Sequence, residues 1–340
     1  MNIGDLLQLC VTHSPLVTRV FESAMRLRGI PGTAVRSIGR RGAPLCGAGL
    51  GLDDVSEGME SCFRRFDRAG YAAWRKRLDQ ALLGLTGGRP FEACIPHLNK
   101  MLYQEIISHP DCAAWAFLEE GFTSMAWKTR RNRHGRTQKL LLNGLRSLWV
   151  RPHYRVTRPM FDHTMPRYHA AYAVSRLAFE GMPGRIDVSA HVPPLPAGDS
   201  SGNTYVVLDA SYLYQHVRWE DYENALVAAI REHALPSGKL LVKFHFADST
   251  AERHFKSIHR RLTGCGTPEP QMLSGNFAIE ENLTAKDLLF FATTSLGYYT
   301  ALLGGRVACF AENIKGLSIS SWIAAGHLPG DFRQVTRLKR

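Results

Sequence analysis

The 340-residue chain is long enough for two domains of ordinary size. Hydrophobic residues make up 45% of it and charged residues 21%, which fits a globular protein with a buried core and excludes a disordered chain, a collagen-like repeat and a coiled coil. Its 42 Lys and Arg against 30 Asp and Glu give a formal net charge of +12, so we expect an anionic partner.

Cysteine usage and hydropathy predict a cytoplasmic protein. The seven cysteines are far apart and form no Cys-x-x-Cys pair, which excludes a disulfide framework and a zinc ribbon. The apolar stretch 6–11 is too short for a signal peptide and follows no basic segment. Residues 288–305 carry no charge but contain three glycines and two tyrosines, so we interpret them as a buried strand, a turn and a packed helix rather than a membrane span.

Predicted strands alternate with predicted helices along the chain. Residues 5–12 predict a buried strand, and after a turn at 13–15 the apolar residues follow helical spacing up to Leu27. Further on, the sequence predicts helices over 219–233 and 296–303 and strands over 111–118, 204–208, 239–246 and 287–292. This alternation is typical of an α/β protein with parallel sheets and crossover helices.

Proline, glycine and serine are concentrated in residues 183–203, a composition typical of a linker. We expect this segment to join a first domain, residues 1–190, to a second domain, residues 191–340. Two α/β domains joined in this way place the expected ligand site in a central cleft between them.

Positive charge is concentrated in residues 126–182, where twelve basic and two acidic residues give a net charge of +10. Three interpretations stay open for this segment: a solvated surface, contact with an anionic membrane or glycan acceptor, or nucleic-acid binding helped by the interleaved Trp and Tyr residues. Within it we expect a mobile loop at 133–136 and an amphipathic basic helix over 139–150. The residues expected to contact a membrane or an acceptor are Arg130, Arg131, Arg133 and Arg136.

Two adjacent carboxylates follow the strand that ends at Leu118. Because side chains alternate across a strand, only one of Glu119 and Glu120 can face a ligand site, and Gly121 lets the chain turn sharply there. A carboxylate at this edge of an α/β sheet could act as general base for an acceptor hydroxyl. The alternative interpretation is a pair of surface acids at a solvated strand end.

A histidine and a run of hydroxyl residues follow two strands of the second half. Alternation places Lys243 and His245 on one face of their strand, where an imidazole could donate a proton to a phosphate or leaving-group oxygen. Thr293, Thr294 and Ser295 precede a predicted helix, whose first N–H groups and hydroxyls could bind a phosphate. The alternatives are a hydrogen-bonded core histidine and ordinary helix capping.

Taken in order, these motifs resemble those of the bacterial sialyltransferases with two Rossmann-type domains (the GT-B fold), which include polysialyltransferases and lipooligosaccharide sialyltransferases. That family has an acidic-acidic-Gly, a His-Pro and a Ser/Thr motif. The corresponding residues here are Glu119-Glu120-Gly121, Lys243-Phe244-His245-Phe246 and Thr294-Ser295-Leu296. The segment 9–16 is similar to the family's first strand and turn, and Glu281-Asn282-Leu283 to its Glu-x-Leu segment. Phe246 replaces the family's proline, which removes a constraint on the turn after His245.

The resemblance implies an α/β, GT-B-like fold with two Rossmann-type domains facing a central cleft. It also implies inverting transfer of sialic acid, or a related nonulosonic or Kdo-like sugar, from its CMP form to a hydroxyl of a surface glycan such as lipopolysaccharide or capsule. Glu120 (or Glu119) would be the base, and His245 would stabilise or protonate the departing phosphate oxygen. The residues that would bind the nucleotide are Thr293, Thr294, Ser295, Glu281 and Lys243.

We expect neither a metal nor another cofactor. A single-phosphate leaving group needs less cationic help than a diphosphate, and the donor's own carboxylate eases the positive charge that develops on the sugar. The 14 histidines form no His-Glu-x-x-His pattern, and the glycine-rich stretch 47–51 lacks the full dinucleotide spacing, so we interpret it as an ordinary loop.

The expected partners are a CMP-activated sugar, a glycan or glycolipid acceptor and the anionic surface of the inner membrane, to which a cytoplasmic protein would bind peripherally. No nucleic acid is expected. Two alternatives stay open. One is a nucleic-acid- or polyanion-binding α/β protein that acts through residues 126–182, and the other is a GT-B transferase with a diphosphate-sugar donor.

Overall fold

The computed structural model describes residues 6–39, 47–130, 160–198, 202–245, 247–274 and 277–336. The chain divides into two compact units, residues 1–192 and 193–340. Each unit contains a parallel β-sheet whose strands are joined through helices, which confirms the predicted α/β class with two Rossmann-type halves.

The first unit contains, within its described residues, seven parallel strands in the order β3-β2-β1-β4-β5-β6-β7. These strands are β1 (Leu7–Thr12), β2 (Val35–Gly39), β3 (Ala48–Gly51), β4 (Phe91–Ile95), β5 (Cys112–Leu118), β6 (Tyr168–Ala173) and β7 (Arg185–Asp187). Every residue of β1 and β4 is buried, as expected for central strands covered on both faces.

Six helices belong to the described part of the first unit: α1 (Pro15–Leu27), α2 (Asp53–Arg65), α3 (Arg68–Thr86), α4 (Met101–Ile107), α5 (Phe122–Met125) and α6 (Trp127–Arg130). The predicted start of the chain is confirmed as β1 followed by α1. Ser14 caps α1 by accepting a hydrogen bond from the backbone N–H of Val17, and Pro15 occupies the first helical position. The apolar stripe of Val17, Val20 and Phe21 is completely buried.

The loop predicted at residues 47–51 is wrong, because Ala48–Gly51 is the edge strand β3, paired with β2. All four of its residues are exposed, so it leaves no pattern of buried side chains in the sequence.

The predicted linker 183–203 contains the boundary between the units, which lies between residues 192 and 193. It starts too early, because β7 and the 3₁₀ turn Ser189–His191 belong to the first unit.

The described part of the second unit has five parallel strands in the order β10-β9-β8-β11-β12. They are β8 (Thr204–Val207), β9 (Leu240–Lys243), β10 (Pro270–Met272), β11 (Leu288–Phe291) and β12 (Arg306–Cys309). Its helices are α7 (Trp219–Glu232), α8 (Ala251–Leu262), α9 (Ile279–Asn282), α10 (Ser295–Leu302), α11 (Ile319–Ala324) and α12 (Phe332–Thr336).

The uncharged stretch 288–305 has the structure that its glycines and hydroxyls predict. It forms the buried strand β11, a turn and the helix α10. Across the ranges that the structure describes, no helix combines the length and apolar character needed to cross a membrane.

The strand order reverses once in each sheet. In the first unit the chain runs outward from β1 to β3 and then returns to β4 on the other side of β1. In the second unit it runs from β8 to β10 and returns to β11 on the other side of β8. In open parallel sheets, ligands bind at the carboxyl ends of the strands next to such a reversal. The functional residues are therefore expected after β1 and β4, and after β8 and β11.

Two helical glycines give a matched test of packing. A Cβ on Gly297, in the first turn of α10, would lie 2.1 Å from the Phe291 ring, whereas a Cβ on Gly84 in α3 would have no atom within 4 Å. Gly297→Ala should lower the free energy of unfolding by about 1–3 kcal/mol through overpacking. Gly84→Ala should raise it by up to about 1 kcal/mol, because alanine loses less backbone freedom in a helix. Urea unfolding measures both, and the same sign for both variants would contradict the packing described.

Candidate active site

Three ionisable side chains meet at the carboxyl edge of the first sheet. Oε2 of Glu120, which follows β5, lies 3.6 Å from Nε2 of His13 and 3.5 Å from Nε2 of His97. His13 follows β1 and His97 follows β4, and β1, β4 and β5 are neighbours in the sheet. Parallel strand order thus brings together residues that are far apart in the sequence.

The two imidazoles are oriented by hydrogen bonds on their far sides. Nδ1 of His97 accepts a hydrogen bond from the backbone N–H of Asn99 at 3.0 Å, and Nδ1 of His13 lies 3.4 Å from the Tyr103 hydroxyl. In a neutral imidazole, an Nδ1 that accepts leaves the proton on Nε2. The proton of His97 therefore lies on Nε2, the atom that faces Glu120. With the Tyr103 hydroxyl as donor to Nδ1 of His13, the proton of His13 likewise lies on Nε2 and faces Glu120. Distances of 3.5 and 3.6 Å are longer than a normal hydrogen bond, and each contact is an ion pair only when the imidazole is protonated.

Glu119 points the opposite way and is completely buried. Its Oε2 accepts hydrogen bonds from the backbone N–H groups of Val174 and Ser175, at 2.5 and 2.9 Å. It therefore binds the end of β5 to the turn that follows β6. The alternation of side chains has separated the two carboxylates, and Glu120 is the one directed at the histidines.

Gly121 makes the turn that presents Glu120. Its φ of +114° lies in a region that glycine adopts far more readily than other residues. The turn is closed by a hydrogen bond of 2.9 Å from the backbone N–H of Glu120 to Oγ of Ser124 in α5.

His245 lies at the carboxyl edge of the second sheet, two residues after β9. Its Nδ1 accepts a hydrogen bond of 3.2 Å from the backbone N–H of Ala247, which places the proton of the neutral ring on Nε2. Burial lowers the pKa of His245, and the carboxylates of Asp209 and Asp248 act in the opposite direction with less effect. The imidazole is therefore mainly neutral at pH 7.

The turn after His245 is held by Asp248. This carboxylate accepts hydrogen bonds from the Thr250 hydroxyl at 2.7 Å, the Tyr212 hydroxyl at 2.7 Å and Nδ1 of His254 at 3.0 Å. Burial alone would raise the pKa of Asp248, but these hydrogen bonds lower it to about 2. The backbone N–H of Asp248 also donates to the carbonyl of His245 at 2.9 Å. These hydrogen bonds fix residues 247–250 after His245, and Phe246 lies outside the described residues.

Asp209, which follows β8, fixes the start of α10. Its carboxylate accepts hydrogen bonds from both the backbone N–H and the hydroxyl of Thr293, each at 2.8 Å. It also accepts them from the backbone N–H and the hydroxyl of Ser211. Thr294 then caps α10 by accepting a hydrogen bond of 3.1 Å from the N–H of Gly297. Ser295 is half-buried as the first residue of the helix, where backbone N–H groups have no intrahelical partner.

Several predicted residues contribute less to this edge. Nζ of Lys243 donates a hydrogen bond to the carbonyl of Phe277, in the segment that leads to α9. Glu281 is exposed in α9. The helix α6 ends at Arg130. The remaining predicted contact residues, Arg131, Arg133 and Arg136, lie outside the described residues with the predicted loop 133–136 and helix 139–150.

Sequence reasoning missed His13, His97 and Asp209. His13 and Asp209 do carry a signal, since each follows a predicted strand by one or two residues, which is where α/β folds place functional side chains. His97 follows β4, a strand that was not predicted. Within the described ranges, no group of three or more His, Cys, Asp or Glu side chains is arranged to hold a metal ion.

Comparisons with known proteins give little further information. No protein-family model matches the sequence, and no curated protein matches it. Among solved structures, the chain is similar to the UDP-GlcNAc 2-epimerase from Methanocaldococcus jannaschii, with 9% identity over 88% of this chain and 82% of that one and a TM-score of 0.43. It is also similar to OtsA in its apo structure, with 9% identity, 97% and 94% coverage and a TM-score of 0.41. A trehalose-6-phosphate synthase gives 10% identity, 97% and 95% coverage and a TM-score of 0.41. The fold assignment therefore rests on the strand order of the two sheets, and similarity at this level says nothing of the activity.

The two neighbouring carboxylates should respond differently to substitution. Glu119→Ala removes the acceptor of two buried N–H groups and should lower the free energy of unfolding by about 2–3 kcal/mol. Glu119→Gln should cost less, because the amide oxygen can still accept. Glu120→Gln should lower the free energy of unfolding by less than Glu119→Ala, because the amide has the same size and its histidine partners lie at 3.5 and 3.6 Å, beyond a normal hydrogen bond. Urea unfolding measures all three, and a larger loss for Glu120→Gln than for Glu119→Ala would contradict this assignment.

His245 should titrate below the ordinary histidine pKa of 6.5. Because the unfolded chain then binds the proton more tightly than the folded one, its stabilising contribution is present above pH 6.5. That contribution is lost as the pH falls from 6.5 to the folded-state pKa. Asp209→Asn should lower the pKa of His245 further by removing a nearby negative charge. Imidazole NMR titration of both proteins measures this, and a pKa at or above 6.5 in the wild-type chain would contradict the burial of the ring.

Proposed function

We propose that this protein is an inverting glycosyltransferase that moves sialic acid, or a related nonulosonic or Kdo-like sugar, from its CMP form to a hydroxyl of a glycan acceptor. One observation carries the proposal: a carboxylate flanked by two imidazoles ends one parallel sheet, and an imidazole and a hydroxyl-rich helix start follow two strands of the other. The first is a proton acceptor, and the second combines a proton donor with an anion site. Inverting transfer from a nucleotide-activated sugar needs these two parts.

Glu120 is proposed as the general base. The acceptor hydroxyl must lose its proton as its oxygen attacks the anomeric carbon, and an ionised carboxylate can take that proton. The Nε2 atoms of His13 and His97 lie 3.6 and 3.5 Å from Oε2 of Glu120 and fix the direction of the carboxylate. The side chain of Glu120 is only 5% exposed, so little water competes with an acceptor for it. Glu119 is assigned no part in the chemistry, because both of its hydrogen bonds go to buried backbone groups.

The start of α10 is proposed as the phosphate site. The hydroxyls of Thr294 and Ser295 and the first N–H groups of the helix can donate hydrogen bonds to the CMP phosphate. Thr293 acts through Asp209, on the shape of the turn rather than on the ligand. Lys243 and Glu281 act on the nucleoside side, since Lys243 binds the main chain of the segment that leads to Glu281.

His245 is proposed as the group that assists departure of CMP. The neutral ring presents Nε2–H, and an approaching phosphate anion raises the pKa of the imidazole and favours its protonated form. The ring can then protonate the phosphate oxygen as the bond to the sugar breaks. The proposal includes no metal, since one departing phosphate oxygen is served by a proton and helix N–H groups.

The proposed setting is cytoplasmic and peripheral to the inner membrane, with a glycan or glycolipid as acceptor. The basic segment 126–182 would contact the anionic surface or acceptor, and most of it lies outside the described residues. No observation on the described residues favours nucleic acid as a partner.

A thermal-shift comparison of CMP, UDP, GDP and ADP tests the donor. CMP should raise the melting temperature most, because a ligand that binds only the folded chain stabilises it by about 2.7 kcal/mol at one hundred times its dissociation constant. Ser295→Ala and His245→Ala should reduce this shift, whereas Glu120→Gln should keep it. A larger shift with UDP than with CMP would indicate that the donor is a diphosphate-sugar rather than a CMP-sugar. Stabilisation by DNA or heparin alone, indifferent to Ser295→Ala, would favour the polyanion-binding alternative.

CMP release from CMP-sialic acid in the presence of an acceptor tests the base. Glu120→Gln should lower kcat by about 10²–10⁴-fold with CMP affinity unchanged, since the base acts on the acceptor. His97→Ala should also lower kcat, and His97→Gln should recover part of the loss because its amide N–H can replace Nε2–H. If Glu120→Gln kept full activity and a folded Glu119→Gln variant lost it, the base would be Glu119 and the proposed assignment would be wrong.

A further inference from the structure

The helix α3 of the first unit presents apolar side chains to solvent. Leu83 is 59% exposed, and Phe66, in the turn that joins α2 to α3, is 38% exposed. The other exposed apolar residues of the helix are Ala69, Ala72 and Ala73. A surface helix ordinarily has polar residues on this side, so folding alone does not account for the pattern. The exposed residues within 64–84 are called the α3 surface below.

The α3 surface also carries positive charge that no nearby acid neutralises. Residues 64–76 contain five basic residues and one acid, Asp67, a net charge of +4 (5 minus 1). Arg65, Arg68 and Lys76 are exposed, and within the described part of the chain none of them makes a hydrogen bond or an ion pair. Asp67 caps α3, and its carboxylate accepts a hydrogen bond of 2.8 Å from the N–H of Gly70.

The remaining acids of the two helices lie away from this surface or already have partners. Asp54, in the first turn of α2, forms an ion pair of 2.9 Å with Arg77. Oε1 of Glu60 accepts a hydrogen bond of 3.2 Å from the backbone N–H of Met101. Asp79 is the single acid of α3, and it is half-buried against His109. The further acids, both in the first half of α2, are Asp53 and Glu57.

The two helices are fixed to the unit that holds the proposed base. The Tyr71 hydroxyl donates a hydrogen bond of 2.9 Å to Oε1 of Glu105, and both side chains are buried. The Trp74 ring packs closely against α2. The helix α4, which contains Glu105, begins four residues after His97. The α3 surface is therefore held in place before any ligand binds, which lowers the entropy lost on binding.

The combination of charge and apolar exposure indicates one class of partner. Water suits the basic residues but not Leu83 and Phe66. A second copy of this chain would bring the same positive charges onto the surface and would be repelled. A nucleic acid would pair with the arginines but gains nothing from leucine and alanine along the helix. A bilayer interface with anionic phospholipid offers phosphate groups for the first kind of side chain and acyl chains for the second.

We propose that the α3 surface contacts a membrane, with α3 lying along a bilayer that contains anionic phospholipid. Leu83 and Phe66 enter the headgroup region, while the long side chains of Arg65, Arg68 and Lys76 reach the phosphates. The membrane setting belongs to the proposed function, whereas this contact lies outside the basic segment 126–182 and its test needs neither CMP nor turnover.

Co-sedimentation of the full chain with phosphatidylcholine vesicles, with and without phosphatidylglycerol, tests the inference. The chain should bind the anionic vesicles and not the neutral ones. A triple variant, Arg65→Gln with Arg68→Gln and Lys76→Gln, should weaken this binding about tenfold or more, because each basic residue near an anionic surface adds to the attraction. Leu83→Gln should weaken it several-fold with no change in net charge, because less apolar surface enters the interface.

The matched control is Arg253→Gln with Lys256→Gln and Arg260→Gln. These three residues are exposed on α8 of the second unit, and this variant removes the same charge. Because α8 has no exposed large apolar side chain, the control should bind vesicles nearly as the wild type does. CMP affinity and the free energy of unfolding in urea should differ little between the two triple variants.

Three results would overturn the inference. In the first, the wild-type chain would not bind anionic vesicles, and in the second the two triple variants would lose the same amount of binding. In the third, Leu83→Gln would bind vesicles as the wild type does while the α3 triple variant lost binding to DNA or heparin, which would assign the surface to a polyanion. Vesicle binding through α3 without a thermal shift from CMP would instead reject the proposed donor and leave this inference standing.

Discussion

The candidate site depends on one geometrical constraint: parallel strands end together at one edge of a sheet. His13, His97 and Glu120 are far apart in the sequence, yet they follow three adjacent strands, and Nε2 of each histidine lies within 3.6 Å of Glu120 Oε2. In the second sheet, Asp209 and Thr293 meet in the same way, because β8 and β11 are paired. Each meeting lies where the strand order reverses, and a shift in the pairing of one strand would separate these groups.

Buried carboxylates fix the turns at the carboxyl edge of each sheet. Glu119, Asp209 and Asp248 each accept several hydrogen bonds from backbone N–H or side-chain groups, and for each of them at least one bond comes from a different segment of the chain. Such contacts offset the cost of removing a charge from water, and they fix loops that have little apolar surface of their own. Glu119 and Glu120 illustrate this: Glu119 is bound to backbone N–H groups and holds the turn, whereas Glu120 is directed at His13 and His97 and is the proposed base.

Much of the fold could be predicted from local patterns. The central strands β1, β5, β8 and β11 are predominantly apolar, and α1 carries both a cap and a buried stripe, so their sequences suffice. The strands β3, β7 and β10 could not be found in this way, since at most one residue of each is buried and pairing with a neighbour defines them. Alternation predicted that only one of Glu119 and Glu120 could face a site. It could not predict the contacts of Glu120 with His13 and His97 or of Asp209 with Thr293, because these depend on strand order, which no local pattern records.

The central proposal is that Glu120 and His245 take part in the same reaction, and a double-mutant cycle tests it most directly. The rate constant kcat/KM for CMP release from CMP-sialic acid is measured for the wild type, Glu120→Gln, His245→Ala and the double variant. If both groups act on one transition state, the double variant should lose far less activity than the product of the two single losses. Purely multiplicative losses, or a single variant with the wild-type rate, would contradict the claim.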